Sequence, residues 1–292
     1  MIKVIASDMD GTLLNNSHVF SEKTVESIKK ACEKGIRFMV VTGRNYVSAM
    51  EALENTGLVC DYILSSGAEI RDPDKQVQMS IALSFDECEY LYEKLKKYSI
   101  GVMFCSEEKN YIIGTFEEAD EGILDYIKYF HDTRDKDELR KTHLYKVMWA
   151  KTKELPDYET LRKNNVPITK MFLVSDDVEM LQEIKAELEE NGNLAVSSSF
   201  KNNLEVTDIK AQKGPILKEY VESLGYTMDE VMVLGDSLND YSMMEMDFRA
   251  TIAMENADEE IKKVAKYITK SNEEDGVAYV IDEMMKMYGL MD

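Results

Sequence analysis

Short apolar runs alternating with helix-like stretches organise both ends of the chain. Lys3-Val4-Ile5-Ala6 is a run of the kind buried in a parallel sheet. Ser21 can cap a helix in which Val25, Ile28 and Cys32 recur at helical spacing, and Gly35 ends it. A strand at Ile36–Val41, a helix over Tyr46–Glu54 and a strand at Tyr62–Leu64 follow. This βαβαβ series predicts a doubly wound, Rossmann-like parallel sheet with ligands at the carboxyl ends of its strands. After about residue 200 the same style returns. Pro215 opens a helix running to Gly225, and Val231-Met232-Val233-Leu234 is another buried-strand run.

The middle of the chain reads differently. Ser84-Phe85-Asp86-Glu87 is a capping box that opens a helix to about Tyr98. Strands at Gly101–Cys105 and Tyr111–Gly114 flank a turn over Glu107–Asn110. Strands at Leu144–Ala150 and Lys170–Val174 separate helices near Glu117–Phe130, Tyr158–Lys163 and Val178–Glu190. Hairpins mixed with helices predict an α+β module. The expected fold class is α/β: a parallel-sheet core of residues 1–83 and 197–292, interrupted by an inserted α+β domain over residues 84–196. The Met-rich stretches at Met243, Met244 and Met246 and at Met284, Met285 and Met287 fit amphipathic filling better than a site.

The net charge of −21 changes the picture in two ways. It excludes nucleic acid as a partner, because a chain of this sign repels a polyphosphate backbone. It also means that an anionic substrate must find local compensation, in a metal ion or in a few placed Lys and Arg. Hydrophobic residues make up 44% and charged residues 31% of the 292, as in an ordinary soluble globular protein. Cys32, Cys60, Cys88 and Cys105 show no CxxC spacing and have no neighbouring histidines, so neither a zinc site nor a disulfide framework is expected. His18, His131 and His143 leave little for His-based catalysis. No apolar stretch reaches the roughly 20 residues that span a bilayer, and the run Ile2 to Ser7 is too short for a signal sequence. A reduced, cytoplasmic location with no membrane partner is the expectation. Nothing in the sequence fixes an oligomeric state.

Candidate chemistry sits at the ends of the apolar runs. In Asp8-Met9-Asp10-Gly11-Thr12, carboxylates at alternate positions point the same way while the chain is extended, and Gly11 then permits a sharp turn. A solvated loop would read the same way. Gly235-Asp236-Ser237-Leu238-Asn239-Asp240 repeats the arrangement after another buried strand, where an Asp N-cap is the alternative. Two such clusters at the ends of parallel strands make an oxygen-rich pocket suited to a hard divalent cation, and Mg2+ fits sparse protein ligation. Thr42-Gly43-Arg44 brings a hydroxyl and backbone N–H groups to the same crevice. Lys213, ahead of the Gly214-Pro215 helix start, places a positive charge where anions bind, although a surface lysine is the plainer reading.

Taken in order, these motifs resemble those of the haloacid dehalogenase-like (HAD) hydrolase superfamily, and more narrowly the Cof-type phosphatases with a large α/β (type IIB) cap. The resemblance spans essentially the whole chain. It rests on Asp8-Met9-Asp10-Gly11-Thr12-Leu13-Leu14, Thr42-Gly43-Arg44, Lys213-Gly214, Gly235 to Asp240, and the tail Ser271-Asn272-Glu273-Glu274-Asp275-Gly276-Val277. It implies a Mg2+-dependent phosphatase acting on a small phosphorylated metabolite, with sugar phosphates foremost. Asp8 would be the nucleophile that forms an aspartyl-phosphate. Asp10 would protonate the leaving alcohol and then activate water. Asp8 and Asp236 would hold the metal by side chains and Asp10 by its carbonyl, with Asn239 and Asp240 in support. Thr42 and the Gly43 N–H would hold phosphate oxygens beside Arg44, and Lys213 would offset the charge of Asp8 and phosphate. The second carboxylate, Asp10, argues for phosphate chemistry over dehalogenation, since a halide needs no proton.

The chain departs from the subfamily at Ser66, where Asn is usual before Gly-Ala, and at Glu255, where Gly is usual. Glu255 reads either as a solvent-facing side chain or as a change in substrate preference. Lys146, on an expected strand of the insert, also falls in a pattern resembling the subfamily. A phosphomutase that returns the phosphoryl group to a sugar hydroxyl, and a binding protein without turnover, are the rival readings.

Overall fold

A computed structural model describes residues 1–98, 100–128, 131 and 133–290. Each apolar run of the opening segment becomes a strand. β1 (Val4–Ser7), α1 (Glu22–Glu33), β2 (Arg37–Val41), α2 (Tyr46–Leu53) and β3 (Asp61–Leu64) alternate as the pattern predicts. A hairpin, β4 (Glu69–Arg71) and β5 (Val77–Ser80), follows. Ser21 does cap α1, its side chain accepting the Thr24 N–H at 3.0 Å.

The chain divides into two units, residues 1–80 with 210–292, and residues 81–209. The second unit runs through α3 (Phe85–Leu95), β6 (Gly101–Cys105), β7 (Asn110–Ile113), α4 (Phe116–Ile127), α5 (Lys136–Leu139) and α6 (His143–Lys151). It continues with β8 (Thr152–Leu155), α7 (Tyr158–Lys163), β9 (Lys170–Val174), α8 (Val178–Glu189), β10 (Leu194–Ser197) and β11 (Asn203–Asp208). The first unit then resumes with α9 (Lys213–Ser223), β12 (Val231–Gly235), α10 (Tyr241–Met244), β13 (Ala250–Ala253), α11 (Glu259–Val264), β14 (Tyr267–Ile268) and α12 (Gly276–Met287).

Among the described residues the first unit forms an eight-stranded sheet in the order β14-β13-β12-β1-β2-β3-β4-β5. It is parallel from β14 to β3 and antiparallel through the β4–β5 hairpin. Every residue of β1 and β12 is buried, as strands covered on both faces require. The order doubles back at β1, since β12 lies on one side of it and β2 on the other. The second unit forms a six-stranded sheet, β10-β11-β9-β6-β7-β8, antiparallel except for the β7–β8 pair.

Two expectations need correction. Leu144–Ala150 is helical, part of α6, so Lys146 lies on a helix. Thr142 caps that helix by accepting the Tyr145 N–H at 3.2 Å, and Tyr145 and Trp149, four residues apart, stack with ring centroids 5.9 Å apart. The insert also begins at Ile81 and extends to Ile209, beyond the expected 84–196, because β10 and β11 pair with one another and β11 with β9. The helix expected near Glu117–Phe130 is present as α4, which runs to Ile127, and Phe130 lies outside the described residues.

Candidate active site

The carboxyl ends of β1, β2 and β12 are neighbours because the three strands run side by side. Ser7 is in register with Val40 on one side and Leu234 on the other. Residues just past these ends therefore meet. Asp8 stays on the ladder through its N–H, which donates to the Leu234 carbonyl at 3.0 Å, and the residue is 3% exposed.

Lys213 is the first residue of α9 and is 1% exposed. Its ammonium donates to Asp8 Oδ1 at 2.7 Å, to Asp240 Oδ1 at 2.6 Å and to Asn239 Oδ1 at 3.2 Å. Gly214 brings it there: a Cβ on Gly214 would lie 2.0 Å from the Ser242 carbonyl, so α9 can pack on α10 only without a side chain at that point. Asp240 is fully buried, and its Oδ2 accepts the N–H groups of Asp236 at 2.9 Å and Ser237 at 3.2 Å. Thr12 Oγ1 donates to Asp236 Oδ1 at 2.7 Å. Gly11 turns with φ +81°, and a Cβ on it would stand 2.2 Å from Asp236 Oδ2. The first-motif turn and the Asp236 carboxylate thus share a space that only glycine leaves open.

The electrostatics of this cluster are unbalanced. Asp8, Asp236 and Asp240 offer oxygens within 4.8 Å of one another, against the single ammonium of Lys213. Burial, and then the charge of Asp240, push Asp8 up to about 8 against the pull of Lys213. Burial and the charges of Asp8 and Asp240 push Asp236 well above the carboxylate range. Burial works to lower Lys213, but Asp240 and Asp8 outweigh it and hold the ammonium charged. Both oxygens of Asp240 are occupied by hydrogen bonds, whereas Asp8 Oδ2 and Asp236 Oδ2 accept none among the described residues. Hard oxygen donors with surplus negative charge are a set suited to a divalent cation.

Asp10 stands apart from that cluster. Arg44 grips its carboxylate as a fork, Nε to Oδ2 at 2.8 Å and Nη2 to Oδ1 at 2.6 Å, and His18 Nδ1 lies 3.7 Å from Oδ1. Burial pushes the Asp10 carboxyl up, but the Arg44 charge and hydrogen bonds, with His18 assisting, hold it below the ordinary carboxylate range. Of the expected metal set Asp8, Asp10 and Asp236, the side chains brought together are Asp8 and Asp236, with Asp240 as the third carboxylate. Thr42 is buried just past β2; its N–H donates to the Ile63 carbonyl at 2.8 Å and its hydroxyl accepts the Arg44 N–H at 3.1 Å across Gly43.

Sequence reading did not single out Thr12, His18, Asn256 or Asn272 as site residues. Thr12 was visible inside the first motif. His18 reaches Asp10 through a left-handed residue, φ +58°, in a loop held by the Asn15 side chain, which no periodicity betrays. At the departures from the subfamily, Ser66 is left-handed at φ +61°, a conformation that Asn tolerates better. Glu255 is exposed and is absent from the positive-φ residues.

Comparison with known proteins fits this geometry. The family model of the haloacid dehalogenase-like hydrolases matches residues 5–281. A 5-amino-6-(5-phospho-D-ribitylamino)uracil phosphatase of Bacillus subtilis is 30% identical over 286 residues, spanning 97% of this chain and 98% of its own. The solved structure of a haloacid dehalogenase-like hydrolase from B. subtilis is similar with a TM-score of 0.85 at 27% identity, over 97% of this chain and 100% of that one. A HAD subclass IIB sugar phosphatase shares the fold, with a TM-score of 0.76 at 21% identity over 99% and 100% of the two chains. Among the described residues no helix is long and apolar enough to cross a membrane. The chain belongs to the haloacid dehalogenase-like hydrolases, as a phosphatase with the fold of subclass IIB.

Proposed function

We propose that the protein is a cytoplasmic, magnesium-dependent phosphomonoesterase, acting on small phosphorylated metabolites, with sugar phosphates foremost, through a phosphoaspartate on Asp8. The observation that carries this reading is the buried Lys213 ammonium bonded at once to Asp8, Asn239 and Asp240. It holds the Asp8 carboxylate in place and supplies positive charge where a phosphoryl group would arrive.

In the first step a carboxylate oxygen of Asp8 attacks phosphorus while the phosphorus–oxygen ester bond breaks, and Asp10 gives its proton to the departing alkoxide. In the second, Asp10 takes a proton from water, the water oxygen attacks phosphorus, and the bond to Asp8 breaks to release inorganic phosphate. Pairing with Arg44 keeps Asp10 ionised at rest, which suits the second role. For the first role that pair has to open and Asp10 has to take up a proton. Thr42 and the Gly43 N–H would hold phosphate oxygens, and Asn239 and Asp240 keep Lys213 aimed. Mg2+ held by the Asp8 and Asp236 side chains and the Asp10 carbonyl would neutralise charge on the phosphoryl oxygens. The B. subtilis relative is named for a phospho-D-ribityl compound, which supports a phosphorylated polyol or sugar as substrate.

The test is release of free phosphate from sugar phosphates, nucleotides, pyridoxal phosphate and flavin mononucleotide, with and without Mg2+. Phosphate should appear only with the metal, and fastest from a sugar phosphate. Asp8→Asn should abolish it with the fold retained. Turnover by Asp8→Asn would remove Asp8 as nucleophile. Isomerisation of a hexose 1-phosphate without phosphate release would make the enzyme a mutase.

A further inference from the structure

The segment after Asp8 turns back on itself. The N–H groups of Thr12 and Leu14 both donate to the Met9 carbonyl, at 3.3 and 2.8 Å. The Gly11 and Leu14 carbonyls are taken by amides from the far end of the chain. Asn256 Nδ2 donates to the Gly11 carbonyl at 2.8 Å, and Asn272 Nδ2 donates to the Leu14 carbonyl at 3.0 Å and to Asn16 Oδ1 at 3.2 Å. The two amides are joined, since the Asn272 N–H donates to Asn256 Oδ1 at 3.0 Å. Beside them Glu273 Oε1 accepts the Asn16 N–H at 2.7 Å. Asn256 follows β13 and Asn272 follows β14, so the contacts reach β1's loop from the edge of the sheet. Among the described residues neither side chain bonds Asp8, Asp236 or Lys213.

We propose that Asn256 and Asn272 form an amide brace that positions Asp10 for proton transfer. This inference rests on the acid–base role of Asp10 given above. Gly11 directly follows Asp10, so the hydrogen bond on the Gly11 carbonyl fixes the backbone from which the Asp10 side chain projects. On its other side Gly11 meets the Asp236 carboxylate, which leaves the turn no freedom in that direction. Arg44 holds the far end of the Asp10 side chain, and the brace holds the near end. Proton transfer requires heavy atoms within about 2.6–3.2 Å. A misplacement of about 1 Å can cost about a hundredfold in rate. The brace therefore acts through Asp10 without touching substrate, and it gives a role to the Ala253–Ala257 and Ser271–Val277 segments.

Leaving-group dependence separates this role from a merely structural one. Expulsion of p-nitrophenolate needs little protonation, whereas a sugar alkoxide needs it fully. Asn256→Asp keeps the acceptor for the Asn272 N–H and removes the donor to the Gly11 carbonyl. Asn272→Ala removes the other arm, and Glu260→Ala serves as an exposed control on α11 outside the brace. The measurement is kcat and KM of the full chain for a hexose 6-phosphate and for p-nitrophenyl phosphate at saturating Mg2+, with the thermal midpoint of each variant. Asn256→Asp and Asn272→Ala should lower kcat/KM on the sugar phosphate by about tenfold or more, within the range an acid–base group contributes. Their kcat/KM on p-nitrophenyl phosphate, which reports phosphoryl transfer to Asp8 and not the later hydrolysis that Asp10 also serves, should stay within about twofold, and Glu260→Ala should match wild type on both esters. Equal losses of kcat/KM on the two esters, or no loss on the sugar phosphate, would overturn the brace while leaving the phosphatase reading intact. A wild type that hydrolyses neither ester would sink both readings.

Discussion

The two units bury charge in different ways. Among the described residues of the second unit each buried charge has a matched partner. Lys170 donates to Glu205 at 3.0 Å, and Asp120 accepts the Arg140 guanidinium at 2.5 Å and the Tyr145 hydroxyl at 2.5 Å. The first unit does the same at the amino ends of β2 and β3, where Asp61 accepts Arg37 and Tyr220. At Asp8 it does not: three carboxylates face one ammonium. A matched pair settles the cost of burial locally, so it can be read as structure. A buried surplus of one sign raises pKa values and costs stability, so a chain that keeps one has a use for it.

The largest effect that sharpens this contrast is expected at Lys213. Lys213→Met leaves Asp8 and Asp240 buried without their cation, which should cost about 3 kcal/mol or more of stability. It should also lower kcat by about a thousandfold, as loss of one preorganised charge at the reacting centre does. Denaturant unfolding and steady-state kinetics check the two parts. A variant that keeps its activity would show that the surplus is not catalytic. Next in size is Gly11→Ala. Its Cβ would stand 2.2 Å from Asp236 Oδ2 at a φ of +81°, so the first-motif turn and the Asp236 carboxylate must separate. We expect about a hundredfold loss in kcat and a raised Mg2+ requirement. An unchanged magnesium titration would argue that Asp236 does not hold the metal.

A smaller effect, on stability alone, is expected on the matched side. Asp120→Ala removes the acceptor of Tyr145 and the partner of Arg140. Arg140 is 36% exposed, so solvent screens much of its charge, and the expected cost is about 1–2 kcal/mol, mainly from the stranded hydroxyl. Turnover of p-nitrophenyl phosphate per folded molecule should be unaltered. A selective loss of kcat would place that cluster in the chemistry and dissolve the contrast between the units.

The same contrast explains what the sequence made legible. Apolar runs that end in a charged residue and a glycine mark β1 and β12, so the strand-end carboxylates Asp8 and Asp236 that the fold brings together could be picked out without coordinates. Lys213 could be placed only as a helix start; that its ammonium is buried among three acceptors depends on residues 205, 26 and 27 positions away. The Asn256 and Asn272 amides lie 245 and 258 positions from the carbonyls they hold, and no local pattern encodes such a pairing. In the second unit the signal fails earlier. Leu144–Ala150 is apolar enough for either a strand or a helix, and the helix rests on a cap at Thr142 and on aromatic packing. β10 and β11 are antiparallel strands with polar residues on one face, where Lys170 and Glu205 satisfy each other, so they lack the continuous apolar run that exposed β1 and β12.

The smallest effect tests whether the units can be weighed separately at all. Thr142 accepts the Tyr145 N–H at 3.2 Å and donates to the Leu139 carbonyl at 2.6 Å, joining α5 to α6. Thr142→Ala should cost about 1 kcal/mol. That corresponds to a shift of about 4 °C in the midpoint of a unit this size. The chain has one tryptophan, Trp149, which lies on α6 and stacks on Tyr145 at 5.9 Å, so tryptophan fluorescence reports the second unit. Phosphatase activity on p-nitrophenyl phosphate, followed against temperature, reports the first unit if Asp8 and Lys213 carry the reaction as proposed. If the second unit settles its own burial costs, Thr142→Ala should lower the fluorescence midpoint and leave the inactivation midpoint of the first unit where it is. Equal shifts of the two midpoints would mean that the units melt together, and the stability of the Asp8 cluster would then depend on the matched pairs of the insert.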